Sequence, residues 1–195
     1  MRAVIQAVSS ASVRVNGGEP RPIGPGLVIL LGVKDTDTLD IVPKLAEKCA
    51  GLRIFKDEND KLNLSAKDLG YSALVVSQFT LYGDTKKGFR PSFIKAARPP
   101  LAVDAYELFL AEMNKQGLKD VQHGEFGADM QVSLVNEGPC TIVIDTDEWH
   151  KGEKINHEGI SSGRPCAVLH QQFPAHLGRR QRGGHRPRRR GAGVR

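Results

Sequence analysis

Residues 2–15 alternate loosely between apolar and polar side chains and are rich in Val, Ile and Ser. That period predicts a strand. Asn16-Gly17-Gly18 is a turn signal. The next segment carries Pro20 and Pro22. Neither can donate a ladder hydrogen bond, so a hairpin partner there belongs at a sheet edge. Residues 26–33 are almost continuously apolar, the pattern of a strand buried on both faces. Leu39, Val42, Leu45, Ala46 and Cys49 then recur at helical spacing. With Asp40 as the cap, Pro43 falls in the first turn, where its missing N–H has no intrahelical partner to lose.

Arg53-Ile54-Phe55 reads as a short strand and Lys56-Asp57-Glu58-Asn59-Asp60 as a turn. Residues 73–81, Ala73-Leu74-Val75-Val76 running into Ser77-Gln78-Phe79-Thr80-Leu81, read as a central buried strand. On such a strand Gln78 and Thr80 share one face, and Ser77 and Phe79 the other. Pro99-Pro100 opens a second helix over about residues 101–116, with Ala102, Ala105, Tyr106, Phe109 and Met113 on its apolar face. Residues 129–136 and 140–146 alternate as two final strands around Gly138-Pro139. The coarse expectation is an α+β domain of mostly antiparallel strands with two packed helices and no internal repeat.

Charge divides the chain. Its 195 residues carry a formal charge of +6. Residues 147–195 hold 11 Lys/Arg and 4 Asp/Glu, whereas residues 1–146 hold 17 and 18. The basic character therefore belongs to the tail, and any nucleic-acid contact by the domain must rest on a local patch. From Gln171 onward there are eight Arg and no acid. The expectation is one domain over 1–146 and a disordered basic tail over 147–195, dispensable for folding and activity when the chain is cut after Thr146. That tail is read either as an RNA-binding extension or as text from a GC-rich gene out of frame. Cys49, Cys140 and Cys166 are odd in number and form no CxxC, which points to a reduced setting. The longest apolar run, Leu27 to Leu31, is too short to span a bilayer, and the N-terminus lacks a signal-peptide layout. A cytoplasmic protein without a membrane partner is expected.

The chemistry begins with Ser77-Gln78-Phe79-Thr80-Leu81, which brings hydrogen-bonding side chains to a strand end. Alone, such residues more often satisfy nearby backbone. Lys86, Lys87, Arg90, Lys95 and Arg98 follow, interleaved with Phe89 and Phe93 and with no acid between them. They form either a solvated loop or one that contacts nucleic-acid phosphates. His123 is the one histidine before residue 147, set beside a Gly in a turn that faces solvent. No HxH, HExxH or Cys/His cluster offers a metal site, and neither GxGxxG nor a P-loop occurs, so no metal and no cofactor are expected.

A second motif, Asn136-Glu137-Gly138-Pro139-Cys140-Thr141, lies about sixty residues after the first. SQFTL with NxGPxT resembles the D-aminoacyl-tRNA deacylases. The likeness extends from Met1-Arg2-Ala3-Val4-Ile5-Gln6 through Arg90-Pro91-Ser92-Phe93 and Phe126-Gly127-Ala128-Asp129-Met130 to Ile142-Val143-Ile144-Asp145. The resemblance implies a barrel-like deacylase-type fold, a homodimer with its active site at the interface, and hydrolysis of the ester of D-aminoacyl-tRNA, with mischarged glycyl-tRNA a further candidate substrate. It implies catalytic roles for Gln78, Phe79 and Thr80, and substrate binding by Ser77. It also implies a cis Gly138-Pro139 pair that reaches into the other subunit and rejects L-amino acids. Such a substrate is an activated ester, so the enzyme needs positioning and oxyanion donors more than a strong base. Thr80 is then either a nucleophile or a positioning hydroxyl, and the lack of a partner base favours the second. One departure stands out: the family usually has Arg where this chain has Ala7, an Arg thought to brace the Gly-Pro pair, so Ala7→Arg is expected to tighten selection. The alternatives are a non-enzymatic RNA-binding protein on the same fold, and an editing relative with altered chiral selectivity.

Overall fold

The computed structural model describes residues 1–149. The expectations for residues beyond these, most of the basic tail, lie outside the described residues. Strand β1 (Arg2–Val15) is the spine. The Asn16-Gly17 turn, with φ of 50° and 71°, returns the chain as β2 (Pro20–Ile23). β2 pairs antiparallel with the second half of β1, as an edge strand where the N–H donors that Pro20 and Pro22 lack are not needed. β3 (Gly26–Gly32) pairs antiparallel with the first half of β1.

β6 (Ser72–Ser77) lies parallel to β3, and β7 (Val121–His123) parallel to β6. Parallel neighbours need crossovers, and α1 (Val42–Ala50) and α2 (Leu101–Asn114) lie on them. A small hairpin, β4 (Phe55–Lys56) with β5 (Leu62–Leu64), interrupts the first crossover. β8 (Met130–Asp145) runs back along the whole of β1, from Met130 opposite Val15 to Asp145 opposite Arg2. Arg21 of β2 donates to the carbonyl of His123 on β7, so the sheet curls toward closure and is barrel-like.

The continuous apolar run of β3 now has its reason. Leu27, Ile29 and Leu31 face a core shared with both helices, and Val28 faces a second core inside the curl. β6 divides the same way, Ala73 and Val75 against Leu74 and Val76. On the helices Val42, Leu45, Ala46, Cys49, Ala102, Ala105, Tyr106, Phe109 and Met113 are buried, as their spacing predicts. Burial on this scale is the main source of stability, at roughly 25 cal/mol per Å² of apolar surface.

Several local expectations shift. The central strand stops at Ser77, and Phe79–Tyr82 form a tight helical turn instead of its continuation. Asp40 does not cap α1. It lies within a short turn, Leu39–Ile41, and Ile41 occupies the cap position, with Pro43 still in the first turn. The strand expected at 53–55 is centred two residues later, and its partner β5 carries too weak an apolar pattern to be read in advance. α2 ends at Asn114. His123 is half-buried on β7 rather than in a solvent-facing turn. The structure also continues past the boundary drawn at residue 146. Thr146 is buried, Asp147 pairs with Lys34 at 2.7 Å, and Lys44 lies 5.1 Å from the Trp149 ring centre.

Candidate active site

The site is organised by the end of β6. As the chain leaves Ser77, Gln78 takes φ −142° and ψ 78°, and its N–H donates to the Leu31 carbonyl at 2.7 Å. The helical turn that follows closes its first bond from Leu81 N–H to the Gln78 carbonyl, at 3.3 Å. The N–H groups of Phe79 and Thr80 precede that bond, so the turn itself offers them no acceptor. Gly32 makes room for this geometry: a Cβ there would stand 3.1 Å from the Gln78 carbonyl oxygen and 3.2 Å from the Leu81 Cβ. Arg2 steadies the other end. Its guanidinium donates to the Leu81 carbonyl at 2.7 Å and to Asp145 at 2.7 Å, and lies 5.0 Å from the Tyr82 ring centre. The Asp145 carboxylate holds the Arg2 pKa above its ordinary value.

Gln78 and Thr80 come together by a route different from the one a strand face implies. The Gln78 amide Nε2 donates to Thr80 Oγ1 at 2.5 Å. A hydroxyl that accepts an N–H in this way keeps its own proton free to donate outward. Among the described residues no basic group is hydrogen-bonded to it.

A cavity of about 680 Å³ opens beside this turn. Ser77, Gln78 and Phe79 form one wall, while Phe93, Tyr106, Phe126 and Met130 contribute others. Phe79 packs edge-on against Phe93, with ring centres 5.1 Å apart, and is itself 55% exposed at the mouth. Tyr106 forms part of the wall from α2, and its hydroxyl reaches the carbonyls of Val75 and Gly124. Burial pushes the Tyr106 pKa up, so it is a neutral structural donor. Its place on the apolar face of a helix reads as core, and nothing in that spacing signals a cavity wall. Thr80 is exposed and does not line this space.

The five basic candidates separate. Arg98 lines the large cavity. Lys86 and Lys95 line a smaller recess of about 240 Å³ with Arg2 and Tyr82, on the far end of the turn. Lys87 and Arg90 are exposed on the intervening loop and line neither space. His123 takes no part: its Nδ1–H donates to the Gly124 carbonyl at 2.7 Å. Among the described residues no group of three or more His, Cys, Asp or Glu is placed to hold a metal ion, and no helix is long and apolar enough to cross a membrane.

Gly138 and Pro139 lie elsewhere, on an exposed bulge of β8. Gln6 pairs with Thr141 and Val8 with Asn136, so residues 137–140 stand opposite Ala7 alone. The Gly138-Pro139 bond is cis, and Gly138 has φ +114°, a conformation that side chains disfavour. Asn136 holds the base of the bulge, its Nδ2 donating to the Ala7 and Cys140 carbonyls at 2.9 Å each. Neither Gly138 nor Pro139 lines the large cavity. Ala7 is only 2% exposed, so an arginine in its place has to displace the atoms that cover it.

Comparison with known proteins follows the same outline. A D-aminoacyl-tRNA deacylase of Akkermansia muciniphila is 53% identical over 146 residues, spanning 75% of this chain and 97% of the relative. One of Chloroflexus aurantiacus is 56% identical over 148 residues, spanning 76% and 92%. A solved structure described as a c-Myc DNA unwinding element binding protein superposes with a TM-score of 0.68 at 39% identity, over 74% of this chain and 98% of that one. A second, described as a probable eukaryotic D-amino acid tRNA deacylase, has a TM-score of 0.65 at 16% identity over 73% and 97%, and shares the fold. With residues 4–145 also matching the sequence pattern described as D-Tyr-tRNA(Tyr) deacylase, the chain belongs to that deacylase family.

Proposed function

We propose that this protein is an editing hydrolase that cleaves the ester of D-aminoacyl-tRNA and releases the free D-amino acid and tRNA. The turn after β6 carries this reading. It presents the Phe79 and Thr80 N–H groups and the Gln78–Thr80 side-chain pair next to a large, aromatic-walled cavity. The reaction adds water to the ester carbonyl carbon. The oxyanion so formed accepts hydrogen bonds from the two N–H groups, preorganised donors at the place where charge develops. The tetrahedral intermediate then expels the ribose oxygen, which takes up the proton lost by water. Thr80 acts as a positioning hydroxyl whose own proton is donated to the substrate. One of its two lone pairs accepts from Gln78, and among the described residues no basic group is hydrogen-bonded to it to take its proton, which argues against a nucleophilic role. Ser77 and Phe79 bind substrate at the cavity wall, where a ring such as Phe79 suits stacking on the terminal base.

Selection belongs to Gly138 and Pro139. On this reading two protomers associate along β8, where Val135 and Val143 are 55% and 61% exposed and Val132, at the cavity, is 37% exposed. The bulge then enters the partner's cavity and excludes an L side chain with backbone atoms, leaving room for a D side chain or for glycine. Lys86, Lys87, Arg90, Lys95 and Arg98 hold the tRNA backbone. Residues 1–146, with Asp147 and Trp149 packed against them, form the catalytic domain, the basic tail beyond is accessory, and the enzyme works in the cytoplasm.

Single-turnover hydrolysis of D-tyrosyl-tRNA and L-tyrosyl-tRNA side by side tests this. Rapid loss of the D ester with the L ester untouched is the expected result. Loss of both esters overturns the selective role of the bulge. Binding without hydrolysis of either replaces the enzyme with an RNA-binding protein.

A further inference from the structure

The ladder between β1 and β8 shifts register twice, between Gln6 and Val8 and between Val8 and Ser10, and the bulge at residues 137–140 makes the first of these breaks. Ala7 pairs with Leu27 of β3 on its other side and has no strand partner on β8. The Cys140 carbonyl lies at the end of the same interruption. Two partly buried carbonyls in want of donors are costly, by roughly 1–3 kcal/mol each when nothing meets them. One side-chain nitrogen meets both. Asn136 Nδ2 carries two protons, and it lies 2.9 Å from the Ala7 oxygen and 2.9 Å from the Cys140 oxygen. The orientation of the amide is fixed by chemistry, because reversing it would set Oδ1 against two oxygens. On the adjoining rung Gln6 Nε2 donates to Thr141 Oγ1 at 3.2 Å.

From this geometry we infer that Asn136 is a specificity-positioning residue: its amide clamps the two ends of the Gly138-Pro139 bulge, and the clamp sets how well the protein rejects L-aminoacyl esters. The inference rests on the proposed editing function. The residue type is specific to the task. Asp has the same shape and no N–H to donate. Ser has one donor. Gln is one methylene too long for the same place. The clamp lies on β8, whereas the hydrolytic turn is held by Leu31, Gly32 and Arg2. Loosening Asn136 therefore changes which ester is accepted more than how fast an accepted one is cleaved.

The test uses the full chain and its Asn136→Asp and Asn136→Ser variants, with D-tyrosyl- and L-tyrosyl-tRNA in single turnover. In Asn136→Asp the D-to-L rate ratio is expected to fall by roughly tenfold to a hundredfold, the scale of one or two lost hydrogen bonds. The fall comes mainly from a faster L reaction, and Asn136→Ser lies between Asp and wild type. A purely structural residue would slow both esters together, and that result overturns the inference, as does an unchanged ratio in folded Asn136→Asp. A variant that does not fold leaves the comparison to Asn136→Ser. In the wild-type protein, the Asn136 side-chain protons are expected to exchange with solvent more slowly than those of exposed Asn59. Equal exchange rates would also sink the clamp. Failure of the wild type to hydrolyse either ester overturns the editing function, while the exchange rates still judge the clamp.

Discussion

The two motif-bearing segments are built on opposite plans. Ser77–Leu81 is held from within the chain, by the Leu31 carbonyl beneath it, the bare Gly32 beside it and the Arg2 guanidinium at its far end. It borders a cavity. Residues 136–141 form a bulge on an outer strand, tied at its base by one amide, and line neither the large cavity nor the smaller recess. The contrast assigns the tasks. A turn fixed by packed backbone suits donors that must stand at set places as charge develops. An exposed bulge suits a surface that judges what another chain presents. If the division holds, changes at the turn alter the rate for every accepted ester, and changes at the bulge alter the choice between esters.

The largest effect is expected at Gly32→Val. An alanine Cβ there already requires the Gln78 carbonyl, Leu81 and Tyr82 to give way by a few tenths of an ångström. Two further methyl groups force the turn to move. Overpacking of this kind costs about 1–3 kcal/mol of stability. A shift approaching 1 Å at the oxyanion donors costs on the order of a hundredfold in rate. Single-turnover kcat for D-tyrosyl-tRNA should fall by that factor with the D-to-L ratio preserved. A folded variant with full rate would detach the turn from catalysis.

Gly138→Ala should do less to rate and more to choice. At φ +114° a Cβ brings strain of roughly 1–3 kcal/mol, and it would also stand 3.2 Å from the Cys140 nitrogen. The bulge relieves this by moving, and the D-to-L ratio should drop by about tenfold. Parallel loss of both reactions would mean that the bulge supports catalysis directly, and the division of tasks would collapse.

The same contrast governs what could be read from the chain alone. The strands β1, β3 and β6 and both helices announce themselves, because burial on one or two faces leaves a period in the residues. The turn does not. Gln78 and Thr80 are two apart, and alternation places them on one strand face. In fact a helical turn brings the Gln78 amide onto the Thr80 hydroxyl. The two side chains meet through a geometry other than the expected one, since a polar stretch at a strand end carries no period that separates strand from turn. β4 and β5 are too short and too exposed to leave a pattern. The parallel pairing of β3 with β6 and β7 depends on crossovers, a property of topology and not of any one segment. Asn136 was visible only as a letter in a motif. Its role depends on carbonyls of Ala7 and Cys140, one of them 129 residues away in the chain. Phe126 and Tyr106 reach the cavity for similar reasons of tertiary placement.

The smallest effect, and the most discriminating for mechanism, is expected at Thr80→Val. The replacement keeps the branched shape and removes the hydroxyl. Gln78 Nε2 loses its acceptor at 2.5 Å, but Thr80 is exposed, so water can take the place of that acceptor. The remaining loss is one hydrogen bond to substrate, worth about 0.5–1.5 kcal/mol, or roughly threefold to tenfold. If Thr80 positions the ester in ground and transition states alike, the loss should fall on KM and leave kcat near its wild-type value. Thr80→Ser, which restores the hydroxyl, should recover most of it. A nucleophile behaves in the opposite way. Its removal abolishes the chemical step while binding persists, and Thr80→Ser would restore turnover through a covalent intermediate. Complete loss of single-turnover hydrolysis in Thr80→Val with unchanged tRNA affinity would therefore make Thr80 the attacking group. The turn would then contribute covalent chemistry as well as oxyanion donors, and its contrast with the bulge would be wider still.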